Sequence, residues 1–146
     1  MKIVVIDGQG GALGKSVVEM LKKRAVAADV AGGTEIVAIG TNSAATAAML
    51  GAGADCGATG ENSVVVATRD ADIVLGPIGI LSADAMLGEI TPAIARAVGA
   101  SRAKKILIPV SRCNVVVVGT VDLSYAERVR MAVELAWAEI EEMRGA

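Results

Sequence analysis

The sequence contains no histidine and no phenylalanine, and Tyr125 and Trp137 are its only aromatic side chains. Because there is no imidazole, a Ser-His-Asp or Cys-His nucleophile and any histidine-containing metal site are excluded. Two aromatic rings also offer too little surface for stacking on the unpaired bases of single-stranded nucleic acids. These absences exclude histidine-dependent hydrolases and histidine-ligated metal centres, and they argue against a single-strand-binding protein.

A strong charge imbalance, closely spaced cysteines and long apolar runs are absent as well. The 14 Lys and Arg residues against 16 Asp and Glu residues give a formal net charge of -2, which argues against a nucleic-acid partner. Cys56 and Cys113 are too far apart for a CxxC metal or redox motif, and no metal site is predicted. No apolar run reaches the roughly 20 residues of a membrane span, and no signal-peptide pattern follows Met1. We therefore expect a cytoplasmic protein without a membrane partner.

Short runs of β-branched residues alternate with longer alanine-rich segments along the 146 residues. This alternation predicts an α/β fold, a mostly parallel sheet of about five strands with helices on both faces. No linker or repeat divides the chain, so we expect a single Rossmann-like three-layer domain over residues 1–146. The predicted strands are Lys2–Asp7, Thr34–Gly40, Asp72–Gly76, Lys104–Pro109 and Val115–Gly119. The last two are joined so briefly that a hairpin and a crossover both stay open.

Four helices are predicted between and after these strands, over residues 13–25, 43–50, 92–98 and 124–143. Residues 54–62 are dense in small and turn residues and are interpreted as a loop, and residues 63–68 favour helix over strand. The last helix is amphipathic, and its apolar face is assigned to Val129, Val133, Leu135, Ala136, Trp137, Ile140 and Met143. That face either covers the sheet or, through Trp137 and Met143, forms a subunit interface. Because 53% of the residues are hydrophobic, we expect a homodimer.

The most informative segment is Asp7–Ser16, a glycine-rich loop that joins the first predicted strand to the first helix. In parallel α/β proteins this turn can bind phosphate through backbone N–H groups and the helix N-terminus. The Walker A pattern GxxxxGK[ST] fits the residues Gly14-Lys15-Ser16 but requires glycine at Gln9. A P-loop is therefore not predicted.

Two dinucleotide-binding patterns fit the same segment incompletely. GxGxxG matches Gly8 and Gly10 but meets Leu13 where the third glycine is required. The spaced pattern GxxxGxG of short-chain dehydrogenases fits Gly8 and Gly14, with Ala12 in the middle, and is the nearest match. A glycine-rich turn that binds nothing is the competing interpretation. The candidate ligand-binding residues here are Gly8, Gln9, Gly10, Gly11, Gly14, Lys15 and Ser16.

The end of the second predicted strand lacks the acidic residue that binds a ribose hydroxyl in NAD-binding proteins. Thr41, Asn42 and Ser43 stand there instead. They could receive a phosphate, as in an NADP-type or mononucleotide site, or they could simply cap the following helix. Ordinary NAD binding is therefore disfavoured.

Ligands of open parallel sheets bind beyond the carboxyl ends of the strands, which adds candidates from the later strand ends. Arg112 is the preferred anion partner, although a structural ion pair with Glu61 or Glu89 is an equal alternative. Cys113 beside Arg112 could be an activated nucleophile or a spectator thiol. Asp7 could act as an acid or base or hold Mg²⁺ through water. The further binding candidates are Gly76, Gly79, Arg112 and Asn114, and the catalytic candidates are Glu61, Glu89, Arg112 and Cys113.

The segments DGQGGALGK, GTNS, GADCGATGEN, GPIGIL, GEIT and RCN, in that order, make the chain similar to a family of small bacterial proteins known as domain of unknown function 3842. The resemblance extends to about Gly119. It implies a Rossmann-like fold and assigns no catalytic residue.

Three functional hypotheses follow from the sequence. The first is a protein that binds a nucleotide or another phosphorylated small molecule at the glycine-rich loop. The second is an enzyme acting on such a ligand, and the third is a structural or partner-binding oligomeric module without small-molecule activity. A concave cleft above the strand ends would favour the first two, whereas an exposed apolar patch without a polar pocket would favour the third.

Overall fold

The computed structural model describes residues 1–28, 33–110 and 114–146, over which strands and helices alternate. The strands are β1 (Lys2–Asp7), β2 (Glu35–Gly40), β3 (Cys56–Thr59), β4 (Ile73–Pro77) and β5 (Lys104–Ile108). The helices are α1 (Ala12–Ala27), α2 (Ser43–Gly51), α3 (Glu61–Ala67), α4 (Pro92–Ala100) and α5 (Tyr125–Gly145), with a 3-10 helix over Ile78–Leu81. The helix favoured for residues 63–68 is confirmed as part of α3.

The five strands form one parallel sheet in the order β3-β2-β1-β4-β5. Ile3 of β1 lies between Ile36 of β2 and Ile73 of β4, so β1 is the central strand. The chain runs outward from β1 to β3 and then returns to the other side of β1 at β4. This order confirms the predicted α/β fold and places the topological switch point between β1 and β4.

Alternate residues of the central strands pack into separate cores on the two faces of the sheet. Ile3 and Val5 of β1 face α1 and α5, where Trp137 is only 2% exposed. Val4 and Ile6 face α3, α4 and the 3-10 helix. Because both faces are covered, the strands are nearly continuous apolar runs, as parallel strands generally are. None of the described helices has the length and apolar character needed to cross a bilayer.

Two assignments at the margins of the sheet are wrong. Residues 54–62 were expected as a loop, yet Cys56–Thr59 form β3 and pair with β2. This edge strand is exposed along its whole length and uses backbone hydrogen bonds that do not depend on side-chain size. A Cβ at Gly57 would lie 3.0 Å from the Ala38 carbonyl oxygen, so a small residue suits this close pairing.

The predicted fifth strand at Val115–Gly119 is not a strand, so the hairpin alternative is also wrong. Val116 and Val118 are 92% and 97% exposed, and β5 is instead the segment at Lys104–Ile108. A run of valines favours a strand only where a neighbouring strand and a half-buried surface are available.

Helix α5 covers the sheet with one face, which is the first of the two alternatives predicted for this helix. Val133 and Trp137 are buried in the core, but Leu135 is 57% exposed and its assignment to the apolar face is wrong. Residues two positions apart in a helix point about 200° apart, so Leu135 cannot share the face of Val133 and Trp137. The homodimer stays a prediction.

Candidate ligand-binding cleft

A cleft of about 960 Å³ lies beyond the carboxyl ends of β1, β4 and β5. Its floor is the turn between β1 and α1, and α5 contributes a wall. This is the topological switch point of the sheet, where ligands of open α/β proteins bind. Its volume is in the range of small-molecule sites. The lining residues are Asp7, Gly8, Gln9, Gly10, Gly11, Ala12, Leu13, Ser16, Pro77, Gly79, Met86, Leu87, Ile108, Pro109, Val110, Tyr125 and Arg128.

Three glycines in the β1–α1 turn and the first turn of α1 are required by packing. A Cβ at Gly8 would lie 2.6 Å from Thr41 Oγ1, and a Cβ at Gly14 would lie 2.5 Å from Met49 Sδ. Gly11 has a φ of +73°, and its Cβ would lie 2.7 Å from the Cα of Ala45 in α2. These glycines let β1, α1 and α2 approach closely, whether or not a ligand binds.

Gly10 differs from the other glycines of the turn because neither backbone conformation nor packing requires it. A Cβ at Gly10 would meet no atom within 4 Å, and its φ lies outside the left-handed region. Within the described residues, the amide N–H groups of Gly10 and Ala12 have no hydrogen-bond partner. Both residues line the cleft, so their N–H groups can donate hydrogen bonds to a ligand there.

Asp7 ends β1 and holds the start of α1 through its side chain. Its Oδ1 accepts the Gly8 N–H at 2.8 Å and its Oδ2 accepts the Gly14 N–H at 2.7 Å. Burial raises the pKa of this carboxyl, with a smaller contribution from the Glu89 carboxylate, and the backbone N–H donors oppose the rise. Because both oxygens are engaged, the side chain orders the turn. Among the residues that the structure describes, no group of three or more acidic or cysteine side chains could hold a metal ion.

The end of β2 does carry an acidic group, but a distant segment supplies it. The Glu89 carboxylate accepts hydrogen bonds from the Gln9 backbone N–H at 3.0 Å, the Thr41 hydroxyl at 2.9 Å and the Asn42 side-chain amide at 2.6 Å. Partial burial opposes ionisation of Glu89, yet these donors lower its pKa below the ordinary value. The polar groups expected to receive a phosphate at the end of β2 are therefore already bound to a carboxylate.

Glu89 belongs to a compact segment, residues 82–90, between the 3-10 helix and α4. The Asp84 N–H donates to the Ile90 carbonyl at 2.6 Å, which closes the segment into a loop. Met86 and Leu87 have φ angles of 56° and 57°, in the left-handed region that costs an L-residue roughly 1–2 kcal/mol. The Met86 sulfur lies over the Gly8 backbone, 2.8 Å from where a Cβ would be. This segment fills the space above β1 and β2.

Two cleft residues from α5, Arg128 and Tyr125, were missed by the sequence analysis. Arg128 Nη1 donates to the Pro109 carbonyl at 2.9 Å, and the Tyr125 hydroxyl donates to Ser16 Oγ at 3.5 Å. A local signal was available, because Ser124 and Glu127 form a capping box that begins α5. Residues 125 and 128 are three apart and therefore share a face of the helix. The packing of that face against the β1–α1 turn, more than 100 residues earlier, had no local signal.

The remaining candidates are divided between the cleft and other places. Gly79 and the turn residues Gly8, Gln9, Gly10, Gly11 and Ser16 line the cleft. Gly76 is buried within β4 against the backbone of β1, Gly14 packs on α2, and Lys15 and Ser43 are exposed on the first turns of α1 and α2. Asn114 is exposed with a φ of 51°.

The catalytic candidates do not converge in the cleft. The Glu61 carboxylate accepts the Thr91 hydroxyl at 2.6 Å, a tie between α3 and the start of α4. Glu89 is bound to the ends of β1 and β2 as described above. Arg112 and Cys113 lie outside the described residues. Within the part of the chain that the structure describes, the hydroxyls of Ser16 and Tyr125 are therefore the only candidate nucleophiles that face the cleft.

The strand order and the cleft at its switch point define a Rossmann-like α/β protein with space for a small molecule. The chain belongs to the family described as "Domain of unknown function (DUF3842)", which matches residues 2–141. The match extends through most of α5, to residue 141, so the expectation that the resemblance ends near Gly119 was too short. A comparison with curated proteins found no match.

Proposed function

We propose that the protein binds a phosphorylated small molecule of mononucleotide size in the cleft beyond β1, β4 and β5. The observation that carries this proposal is a cleft of about 960 Å³ at the topological switch point, whose floor contains a glycine that packing does not require. A backbone without a side chain lets a ligand come close to the amide groups.

Two groups of donors can hold the phosphate. The N–H groups of Gly10 and Ala12 lie at the N-terminus of α1, where the helix dipole favours an anion. Arg128 is the only cationic side chain among the described residues that line the cleft. It bonds the Pro109 carbonyl through Nη1, and the guanidinium has five N–H donors in all, so donors remain for a phosphate.

The rest of the cleft suits the organic part of the ligand. Its walls include the apolar side chains of Leu13, Ile108 and Pro109, and Tyr125 lies at the start of α5. An aromatic ring on one wall can stack on a nucleotide base, because every base presents a π-face. A mixture of apolar walls and a few placed polar groups is typical of small-molecule sites.

The Asp7 carboxyl limits how the phosphate can bind. Its oxygens accept the Gly8 and Gly14 N–H groups, so these two amides are not free for a ligand as they would be in a P-loop. The phosphate is therefore expected between Gly10 and Arg128, away from the inner part of the turn.

The test is a thermal-shift and calorimetric titration of the whole protein with AMP, GMP and inorganic phosphate. A ligand at 100 times its Kd stabilises the folded state by about 2.7 kcal/mol, which raises the Tm by roughly 5–11 °C for a domain of this size. Arg128→Ala is expected to weaken binding by about 10- to 100-fold, because it removes charge-assisted hydrogen bonds. Gly10→Val is expected to block the floor of the cleft while the protein still folds.

Arg130→Ala is the matched control, since Arg130 is exposed on the same helix and does not line the cleft. If no probe raises the Tm of a protein that melts cooperatively, the proposal is wrong and the structural-module hypothesis is favoured. Equal weakening by Arg128→Ala and Arg130→Ala would place the anion outside the cleft.

A further inference from the structure

We infer that Glu89 is a specificity-determining residue that holds the segment 82–90 over β1 and β2 and thereby excludes dinucleotides from the cleft. The inference rests on the proposed function, because it concerns the size of the ligand that the same site accepts. Its evidence is a separate set of contacts, those between residues 82–90 and the ends of β1 and β2.

Glu89 occupies the place beyond β1 and β2 that a dinucleotide would need. Rossmann-type dinucleotides extend across the central strand, with one nucleotide on the β1–β2 side of the switch point. In this protein the Glu89 carboxylate takes three donors on that side, the Gln9 N–H, the Thr41 hydroxyl and the Asn42 amide. A second nucleotide would have to displace this carboxylate before it could use any of these donors.

The β1–α1 turn is covered on one side and open on the other. Met86 lies directly over Gly8, so the backbone of the turn is covered on its β2 side. At Gly10 the same turn is open, because Gly10 lines the cleft and a Cβ added there would meet no atom within 4 Å. The central strand therefore has one covered flank and one open flank, and the open flank accommodates a single nucleotide.

The segment 82–90 is held at its C-terminal end and by contacts near its tip. Ile90 at its end is fully buried, so the segment is anchored in the core next to α4. Its tip is not anchored in this way, since Leu87 is 98% exposed and Gly88 is also exposed. Between the anchor and the tip, the contacts of Glu89 and Met86 connect the segment to β1 and β2. Removal of the Glu89 carboxylate should therefore release the tip without loss of the fold.

The experiment compares the full-length wild type with Glu89→Ala, Glu89→Gln and Asp84→Asn. Asp84 lies exposed in the same segment, and its side chain has no hydrogen bond or ion pair among the described residues, so Asp84→Asn is the matched control. Hydrogen exchange by mass spectrometry reports on residues 82–91, and calorimetric titrations with AMP and NAD report on ligand size. In Glu89→Ala we expect exchange in this segment to become about tenfold faster or more, because three hydrogen bonds to a charged group are lost.

In the titrations, the wild type is expected to bind AMP and not NAD, and Glu89→Ala is expected to bind both. Glu89→Gln, which keeps the shape and removes the charge, should lie between the two in exchange rate. Asp84→Asn should match the wild type in both measurements.

Unchanged exchange in Glu89→Ala would overturn the role of Glu89 in holding the segment. Faster exchange without a gain in NAD binding, while AMP still binds, would overturn the role in specificity and leave the proposed function intact. If AMP, GMP and inorganic phosphate all fail to bind the wild type, the proposed function and the specificity role are both wrong, and the exchange data alone decide whether Glu89 holds the segment.

Discussion

Gly11 is the glycine of the β1–α1 turn whose replacement should damage the fold most clearly. It has a φ of +73°, where an L-residue costs roughly 1–2 kcal/mol. In Gly11→Ala the new Cβ would lie 2.7 Å from the Ala45 Cα and 3.0 Å from the Ala45 carbonyl oxygen. Both atoms belong to the backbone of α2, so the contact cannot be relieved by a side-chain rotation. Overpacking of this kind costs about 1–3 kcal/mol.

The two costs together predict a loss of roughly 2–5 kcal/mol in the free energy of unfolding. At about 3 °C per kcal/mol for a domain of this size, the Tm should fall by roughly 6–15 °C. Gly10→Ala is the matched control, because it adds the same methyl group one residue earlier in open space and outside the left-handed region. Its stability should stay within about 0.5 kcal/mol of the wild type.

The assay is urea unfolding followed by the fluorescence of Trp137, which is buried in the folded state and exposed on unfolding. A Gly11→Ala protein that unfolds at the wild-type urea concentration would refute the reasoning, since either cost alone should shift the midpoint. The same result decides how binding is tested. A substitution at Gly11 removes a ligand by disrupting the fold, whereas a substitution at Gly10 addresses the cleft itself.

Three further predictions address other parts of the molecule. Thr91→Ala should cost about 1 kcal/mol, because it removes the N-cap of α4 and the bond to Glu61, and urea unfolding should show Thr91→Ser to be milder. Partial burial opposes ionisation of Asp55 and Glu89, but hydrogen bonds, from Lys22 in the case of Asp55, lower the pKa of both carboxyls. Both carboxylates therefore stabilise the folded protein above the ordinary carboxyl pKa values, and this stabilisation is lost as the pH falls below them. Urea midpoints measured from pH 7 to pH 3.5 should therefore fall, and an equal fall in Asp55→Asn and Glu89→Gln would contradict this cause. Light scattering at micromolar concentration should give a dimer, and a mass near 14.7 kDa would contradict that prediction.

Elements with local start signals were predictable from the sequence. Asn42 accepts the Ala45 N–H as the N-cap of α2, and Thr91 followed by Pro92 begins α4. These signals depend on a few neighbouring residues, so they do not require knowledge of the tertiary structure. The strand Cys56–Thr59 and the extended valines at 115–118 were assigned wrongly for the opposite reason. Whether either segment joins a sheet depends on the edge that a distant strand presents to it.

The place of the candidate site was predictable, but its composition was not. A glycine-rich connection from β1 to α1 indicates a cleft at that end of a parallel sheet. The separate roles of Gly10 and Gly11 depend on Ala45 and on the geometry of the turn, which spacing patterns do not contain. Arg128 reaches the cleft because α5 packs back across the sheet, and Glu89 reaches β2 because its segment folds over Gly8.

Different side chains lie at the two flanks of the central strand, and this difference connects the fold to the proposed function. Strand order places the start of a crevice beside β1 in any protein with this topology, and fold alone does not specify what binds there. Here the segment with Glu89 covers the β2 flank, while Arg128 stands at the open flank beyond β4 and β5. An acidic group on one side and a basic group on the other would orient a phosphorylated ligand toward Arg128. Substitutions at these two residues should therefore have different effects, with Arg128→Ala reducing affinity and Glu89→Ala extending the range of ligands.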